Sequence, residues 1–220
     1  MEMGKLMDYE AQRVKMVDNQ VRTTDVTSHS VLSAFLTVPR ENFVPEHLKA
    51  LAYVDKDIEL APGRYLTHAS PVAKLLQLAA VSREDRVLEI GTGTGYVTAL
   101  LALLAGSVVS VESDAALADT ARKNLSSSEN VKIVSGDLEK GAASDGPYDL
   151  VFLNGAVEEI PEQLFQQMKD GGRLIAVIGY GNASRAHLFV KERGTIGGTP
   201  EFNTAVKPLP GFRKAVEFQF

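Results

Sequence analysis

The sequence predicts an α/β fold, in which a helical segment precedes a mostly parallel sheet of seven strands with helices on both faces. Two patterns support this prediction. In residues 1–80 apolar side chains recur at helical spacing, whereas from residue 81 onward short apolar runs alternate with segments of helical periodicity. Strands that alternate with helices of this length form βαβ units, which place parallel strands in one sheet. We expect residues 1–80 and 81–220 to be two parts of one compact unit.

The first part is predicted to be helical apart from one loop. Thr27 or Ser28 is a suitable N-cap for the second helix, and Pro39 ends it. Ser70 is the predicted N-cap of the last helix, with Pro71 in its first turn, where the missing N–H costs nothing. In chain order, the predicted elements are two helices within 8–36, a short helix at 46–52, an extended loop at 55–67 and a helix at 70–81.

The second part contains the predicted sheet. Its strands are expected at 86–90, 107–111, 131–135, 148–153, 173–178, 187–192 and 215–220. Helices are predicted between them at 96–105, 115–125 and 161–168. We expect the last two strands to pair antiparallel at one edge of the sheet.

The composition argues against several kinds of site and partner. The chain has no cysteine, which excludes disulfides, thiolate metal sites and cysteine nucleophiles, and its four histidines are too dispersed to indicate a metal site. With 23 basic and 28 acidic side chains the net charge is −5, whereas nucleic-acid-binding proteins are usually basic. The longest strictly apolar run, 99–105, is too short to span a membrane, and the charged N-terminus does not resemble a signal peptide. We therefore expect a cytoplasmic protein that binds neither nucleic acid nor membranes.

The most informative segment is a glycine-rich loop between a predicted strand and a predicted helix. Glu89 lies near the end of the strand, and Gly91, Gly93 and Gly95 follow at alternate positions. Glycines are needed where the chain turns sharply or where a ligand approaches the main chain closely. Dinucleotide-binding proteins prefer the spacing G-x-G-x-x-G, and a βα turn without a ligand is a second alternative. The E-x-G-x-G-x-G pattern resembles the first motif of class I S-adenosylmethionine methyltransferases.

Two further acidic residues follow the next two predicted strands. Glu112 ends the second strand of this part, where a carboxylate can accept hydrogen bonds from both hydroxyls of a ribose. The alternative for Glu112 is a solvated acid at the end of a strand. Asp137 ends the third strand. Because ligands of open α/β sheets bind at the carboxyl ends of the strands, we expect these acids to face one site.

Several strings of residues extend this resemblance to a particular family. The strings MVDNQVR at 16–22, VLSAF at 31–35, VPRENFVP at 38–45 and AYVD at 52–55 resemble those of protein-L-isoaspartate O-methyltransferases and occur in the same order. The glycine loop and residues 136–137, 148–149, 160–161 and 171–174 continue the match. The resemblance covers roughly residues 16–180, and the VPRENFVP string is its most specific part.

The resemblance implies a Rossmann-like class I methyltransferase fold, S-adenosyl-L-methionine as the cofactor and no metal. The implied substrates are proteins or peptides in which an isoaspartyl residue presents a free carboxylate, and the implied activity is methylation of that carboxylate in protein repair by a monomeric enzyme. A carboxylate is ionised at pH 7 and is already a nucleophile, so no strong base is needed. The enzyme has to hold one oxygen in line with the methyl group and exclude water.

The resemblance also implies roles for individual residues. Thr67 stands where the family has its active-site serine, and its hydroxyl makes it the predicted catalytic residue. The predicted cofactor-binding residues are Thr67, Ser70, Glu89, Gly91, Thr92, Gly93, Gly95, Glu112, Asp137, Leu138 and Asn154. The predicted substrate-binding residues are Asp55, Arg64, Tyr65 and His68.

The segment before Thr67 departs from the family pattern. Asp57 and Glu59 replace prolines, and they would repel an anionic acceptor unless Arg64, which replaces a glutamine, neutralises them. Tyr65 replaces a threonine. Other departures are Ala69 in place of a proline, Leu138 in place of a glycine, and VKPLP at 206–210 in place of the family's F-V-P-L.

Because of these departures, two other functions stay open at the level of sequence. A methyltransferase of the same fold could act on another acceptor, such as a small-molecule acid or tRNA, and the acidic composition argues against tRNA. The chain could also be a non-catalytic cofactor-binding protein. Cofactor titration together with a methyl-transfer assay distinguishes these possibilities.

Overall fold

A computed structural model describes residues 8–214 of the chain. The part before the main sheet consists of short helices and one hairpin. Its α-helices are α1 (Tyr9–Met16), which continues as a π-helical turn at Val17–Val21, and α2 (His29–Thr37), followed by 3₁₀-helical turns at Arg40–Phe43 and Glu46–Leu51. The hairpin is formed by β1 (Ile58–Ala61) and β2 (Arg64–Leu66), and α3 (Ala69–Ala79) follows it.

The structure confirms the two first helices and corrects three details of this part. Ser28 is the N-cap of α2, with its side chain accepting a hydrogen bond from the Val31 N–H at 3.5 Å. The third helix is 3₁₀ rather than α. The extended loop contains the antiparallel β1–β2 hairpin, because Pro62 and Gly63 form its turn. The N-cap position of α3 is taken by His68, so the prediction of Ser70 was wrong by two residues.

The main sheet has seven strands in the order β5-β4-β3-β6-β7-β8-β9, of which the first five are mutually parallel. The strands are β3 (Arg86–Ile90), β4 (Ser107–Glu112), β5 (Val131–Ser135), β6 (Tyr148–Val157), β7 (Met168–Ile178), β8 (Arg185–Glu192) and β9 (Thr195–Asn203). The helices between them are α4 (Tyr96–Leu104), α5 (Ala115–Asn124) and α6 (Glu162–Gln166). The α/β fold with its mostly parallel sheet is therefore confirmed.

The antiparallel end of the sheet differs from the prediction. β8 pairs antiparallel with β7 and with β9. β9 was not predicted, because Gly197, Gly198 and Pro200 are residue types that strands disfavour. The strand predicted at 215–220 lies outside the described residues.

The two parts of the chain share one hydrophobic core. The rings of Phe35 and Phe43 contact the ring of Tyr96 in edge-to-face geometry, with centroids 6.2 and 5.6 Å apart. Tyr96 opens α4, which follows the glycine loop, so the helical part packs directly behind the loop. Within residues 8–214 no helix combines the length and the apolar character that crossing a membrane requires.

Candidate active site

The glycine loop joins β3 to α4 at the carboxyl edge of the sheet. Gly91 and Gly93 have φ angles of +94° and +58°, a region that side chains other than glycine rarely adopt. The Gly91 N–H donates to the Val111 carbonyl at 2.9 Å, which fixes the start of the loop against β4. A Cβ atom on Gly91 would lie 2.7 Å from Cδ2 of Leu209, so the Leu209 side chain packs directly against this buried glycine.

Glu112 lies at the end of β4, directly beside the glycine loop, and its side chain is fully buried. Its Oε2 accepts the Gly93 N–H at 2.7 Å, and its Oε1 accepts the Asp114 N–H at 3.0 Å. Both terminal nitrogens of Arg64 donate to the same carboxylate, the Nη2–Oε2 distance being 2.7 Å. The predicted ribose-binding acid is therefore in place and is paired with a residue of the β1–β2 hairpin.

Glu89 lies underneath the loop and is fully buried. Its carboxylate accepts hydrogen bonds from Thr98 Oγ1 at 2.5 Å, Ser110 Oγ at 2.7 Å and Asn154 Nδ2 at 3.1 Å. Burial raises the pKa of the Glu89 carboxyl to about 7, although the three hydrogen bonds favour its charged form. Asn154 also donates to the Gly91 carbonyl at 3.1 Å. Glu89 and Asn154 thus support the loop from within the sheet.

Thr92, Asp137 and Leu138 follow strands of the main sheet, whereas Ser70 lies in the first turn of α3. Asp137 follows β5, is exposed and forms an ion pair with Lys140 at 2.6 Å. Leu138 is buried immediately after it. Thr92 shares a hydrogen bond of 2.6 Å with Ser110, so its hydroxyl faces the Glu89 network.

Thr67 lies between β2 and α3 and is held through its backbone. The Arg40 guanidinium donates from Nη2 to the Thr67 carbonyl at 2.8 Å and from Nε to the Ala52 carbonyl at 2.7 Å. Arg40 is fully buried, and its CZ atom lies 4.8 Å from the centroid of the Tyr96 ring. The Thr67 hydroxyl forms no hydrogen bond within residues 8–214. Sequence reasoning did not identify Arg40, although it is the arginine of the VPRENFVP string.

The four predicted substrate-binding residues have different surroundings. His68 contacts Asp57, with Nδ1 and the backbone N–H lying 2.7 and 3.0 Å from Asp57 Oδ1. Burial would raise the pKa of Asp57, but the hydrogen bonds and charge of His68 outweigh it, so the pKa lies below its ordinary value. Tyr65 has the Lys207 ammonium 5.3 Å from its ring centroid, and Asp55 is exposed.

The structure changes the expected role of Arg64 in the hairpin. Arg64 was predicted to bind substrate and could have neutralised Asp57 and Glu59, but it pairs with Glu112 instead. Asp57 is held by His68, and Lys207 from a distant segment supplies a second positive charge that lowers the Asp57 pKa. The sequence contained no periodic pattern that could have indicated either pairing.

An apolar groove of about 990 Å³ adjoins this region. Leu51 and Val54 are unusually exposed for apolar residues, at 46% and 38%, and both line the groove. Asp57 lines it as well and contacts the backbone of His68, so the groove reaches the Thr67 segment. Among the described residues no cluster of histidine and acidic side chains could hold a metal ion.

Comparisons with known proteins agree on one family. A family model described as protein-L-isoaspartate(D-aspartate) O-methyltransferase matches residues 11–210. A protein-L-isoaspartate O-methyltransferase from Methanoculleus marisnigri is 37% identical over 202 residues, covering 91% of this chain and 92% of the relative. One from Koribacter versatilis is 33% identical and covers 94% of both chains.

Solved structures give the same result. A chain described as a protein-L-isoaspartate O-methyltransferase superimposes with a TM-score of 0.79 at 30% identity, over 90% of this chain and 66% of that chain. A structure from Plasmodium falciparum in complex with S-adenosyl-L-homocysteine has a TM-score of 0.78 at 18% identity, over 92% of this chain and 98% of that chain. The second likeness concerns the fold alone.

Proposed function

The chain belongs to the protein-L-isoaspartate(D-aspartate) O-methyltransferase family, and we propose that its site performs the family reaction with the residues described above. In this reaction S-adenosylmethionine supplies a methyl group on a positively charged sulfur, and the acceptor is the free carboxylate of an isoaspartyl residue. The glycine loop and Glu112 bind the cofactor, and the segment around Thr67 positions the acceptor.

The residues at the carboxyl edge of the sheet fit this cofactor. Gly91 and Gly93 have no side chains, so a cofactor that displaces the residues covering them can approach the main chain closely. Glu112 is a buried carboxylate with two backbone donors already on it, which keeps it fixed for the ribose hydroxyls. We place the adenine beside Asp137 and the Leu138 backbone, which follow the end of β5.

On the acceptor side, the site has to orient the acceptor carboxylate, and it does not need to remove a proton from it. An isoaspartyl carboxylate is ionised near neutral pH and attacks the methyl carbon directly. The Thr67 hydroxyl is free to donate to one carboxylate oxygen, and the Arg40–Thr67 hydrogen bond of 2.8 Å fixes the backbone that carries it. The apolar groove beside Asp57 suits the chain on either side of the acceptor residue, which supports a polypeptide acceptor.

One observation carries the proposal. The segment with the predicted acceptor hydroxyl is tied to the predicted cofactor carboxylate by the Arg64–Glu112 ion pair, whose Nη2–Oε2 distance is 2.7 Å. Residues 64 and 112, 48 positions apart in the chain, therefore lie side by side, which supports a site in which cofactor and acceptor are neighbours. We further propose that the enzyme acts as a cytoplasmic monomer on proteins, and the net charge of −5 supports protein rather than nucleic acid as the partner.

A transfer assay with labelled S-adenosylmethionine tests the proposal. We expect methylation of an isoaspartyl peptide and none of the matched aspartyl peptide or of tRNA. Thr67→Ala should reduce transfer by ~10²-fold, about 2.7 kcal/mol of lost positioning, while cofactor affinity changes only a few-fold. Thr67→Ser keeps the hydroxyl and should retain most of the activity.

Thr37→Ala removes an exposed hydroxyl at the end of α2 and serves as a control without expected effect. Transfer to a small-molecule acid or to tRNA, but not to the isoaspartyl peptide, would show that the altered hairpin serves another acceptor. Cofactor binding without transfer to any acceptor would favour a non-catalytic protein.

A further inference from the structure

The Arg64–Glu112 pair occupies the carboxylate to which the ribose is proposed to bind. Arg64 donates from both terminal nitrogens, and the two side chains are 9% and 0% exposed. Such a forked contact between guanidinium and carboxylate is among the stronger side-chain hydrogen-bonding arrangements. It is also shielded from solvent, so dissolved salt screens it only weakly.

The hydrogen-bonding capacity of Glu112 is fully used. An ionised carboxylate accepts about four hydrogen bonds, and Glu112 receives two from Arg64, one from the Gly93 N–H and one from the Asp114 N–H. The last two donors are backbone groups fixed by the glycine loop and the start of α5. Two ribose hydroxyls can therefore bind Glu112 only after the Arg64 guanidinium has left.

The β1–β2 hairpin also covers other parts of the proposed cofactor site. The Arg64 Nη2 atom lies 3.6 Å from where a Cβ on Gly91 would be, and Leu60 Cδ1 lies 3.3 Å from a Cβ built on Gly93. Side chains from both strands of the hairpin thus cover the two glycines that the cofactor must approach. Among residues 8–214, β1 and β2 pair only with each other, so the hairpin can move without breaking the hydrogen bonds of the main sheet.

We propose that Arg64 is an internal competitor of the cofactor, and that cofactor binding releases its guanidinium to bind the acceptor carboxylate. This inference rests on the proposed function. It explains why a residue expected to bind the acceptor is found on the cofactor carboxylate. The same cation serves both carboxylates in turn, because Arg64 stays charged and its planar fork matches either one.

Two linked effects follow from this exchange. Displacing Arg64 from Glu112 costs free energy. The free protein therefore binds the cofactor more weakly than it would if Glu112 were unpaired. Conversely, the acceptor binds better once the cofactor has freed the guanidinium. Because such coupling is reciprocal, acceptor and cofactor raise each other's affinity by the same factor.

Calorimetric titration with S-adenosylhomocysteine tests the first effect, since this product binds without transferring a methyl group. Arg64→Gln should bind it at least about tenfold more tightly than the wild type, and Arg64→Lys should fall between them because it keeps the charge but loses the fork. Arg185→Gln is the matched control: it removes an exposed arginine that contacts Asn203 on β9, and its affinity should equal that of the wild type.

Peptide binding tests the second effect. With the wild type, saturating S-adenosylhomocysteine should increase the affinity for an isoaspartyl peptide about tenfold, and in Arg64→Gln the affinity should be low with or without it. The matched aspartyl peptide controls for contacts outside the acceptor residue. Thermal unfolding of each ligand-free variant shows whether it is folded. If Arg64→Gln does not fold, Arg64→Lys, which preserves the positive charge, is used for the test instead.

Equal or weaker product affinity in folded Arg64→Gln and Arg64→Lys would overturn the competition. Peptide affinity in the wild type that does not respond to the product would overturn the release to the acceptor. Failure of the proposed function looks different: the wild type would bind the product, and Arg64→Gln would bind it more tightly, but neither would bind the isoaspartyl peptide. That result would support Arg64 as a competitor of the cofactor but would show that it does not bind an isoaspartyl carboxylate.

Discussion

Glu89 is an acid enclosed below the glycine loop, with its carboxylate bonded to Thr98, Ser110 and Asn154. Burial raises its pKa from 4.5 to about 7. The unfolded chain therefore releases this proton at lower pH than the folded protein does. The contribution of Glu89 to the free energy of unfolding is complete below pH 4.5, declines as pH rises to about 7 and is lost above that.

Glu89→Gln should remove this pH dependence. A glutamine amide at this position can donate to the hydroxyls of Thr98 and Ser110, which rotate to accept, so the network stays satisfied. We expect the variant to match the wild type near pH 4.5 and to exceed its free energy of unfolding at pH 8 by on the order of 3 kcal/mol. Urea unfolding at the two pH values measures the difference.

Glu129→Gln, at an exposed position, is the control for loss of one charge. If Glu89→Gln and wild type show the same pH dependence, the Glu89 proton is not held more tightly in the folded state. Sequence reasoning assigned Glu89 to the cofactor because it precedes the glycines. It could not indicate the three donors, since Thr98, Ser110 and Asn154 come from three different elements.

At the scale of elements, helix α3 ends at a residue with a strained backbone conformation, although glycine, which adopts this conformation without strain, is absent there. Ala80 follows its last residue with φ +46° and ψ +49°, a left-handed conformation that costs a non-glycine residue about 1 kcal/mol. Arg173, in the middle of β7, donates hydrogen bonds to the Ala79 carbonyl and, at 3.1 Å, to the Ala80 carbonyl. The helix end is thus anchored to the sheet.

Ala80→Gly should stabilise the protein by about 1 kcal/mol, because glycine adopts this conformation without strain. For a chain of this length the expected rise in Tm is about 2–4 °C. Calorimetry of Ala79→Gly provides the contrast. That residue is the last one of α3, has a helical conformation and is fully buried, so the same substitution should lower stability by about 1–2 kcal/mol. A lower Tm for Ala80→Gly would show that the strain is absent.

Elements with a strong hydrophobic pattern could be predicted almost to the residue. β3 and β5 have the predicted bounds, because a short apolar run flanked by polar residues leaves little choice. The β1–β2 hairpin could not be predicted, since Pro62-Gly63 indicates a turn but the strands beside it are only four and three residues long. β9 was missed because its pairing with β8 outweighs the poor strand propensity of its glycines.

For the whole molecule, the shared core predicts that the helical part and the sheet unfold together. Phe35 and Phe43 contact Tyr96 across the boundary predicted at residue 80, and Arg40 is buried between these parts. We expect one calorimetric transition with equal calorimetric and van't Hoff enthalpies. Its midpoint should not depend on protein concentration if the protein is a monomer. Two separate transitions would show that residues 1–80 and 81–220 are independent units.

Only part of the candidate site could be predicted from the sequence. The glycine loop and Glu112 could be predicted because each follows a strand, and the topology brings strand ends together. The contact of Arg64 with Glu112 and the position of Leu209 depend on how separate segments pack. Patterns of neighbouring residues in the sequence do not indicate which distant segments pack together.

Leu209 also limits which substitutions the site can accept. Its N–H donates to the Ala156 carbonyl at 2.8 Å, and a Cβ on Gly91 or on Gly155 would lie 2.7 or 2.6 Å from its side chain. One leucine therefore sets the permitted size at two positions in different segments. A larger residue at either glycine would become acceptable only after position 209 had lost volume, so the order in which mutations arise matters. In the reverse order, a larger residue at position 91 or 155 would collide with Leu209 while it is still in place.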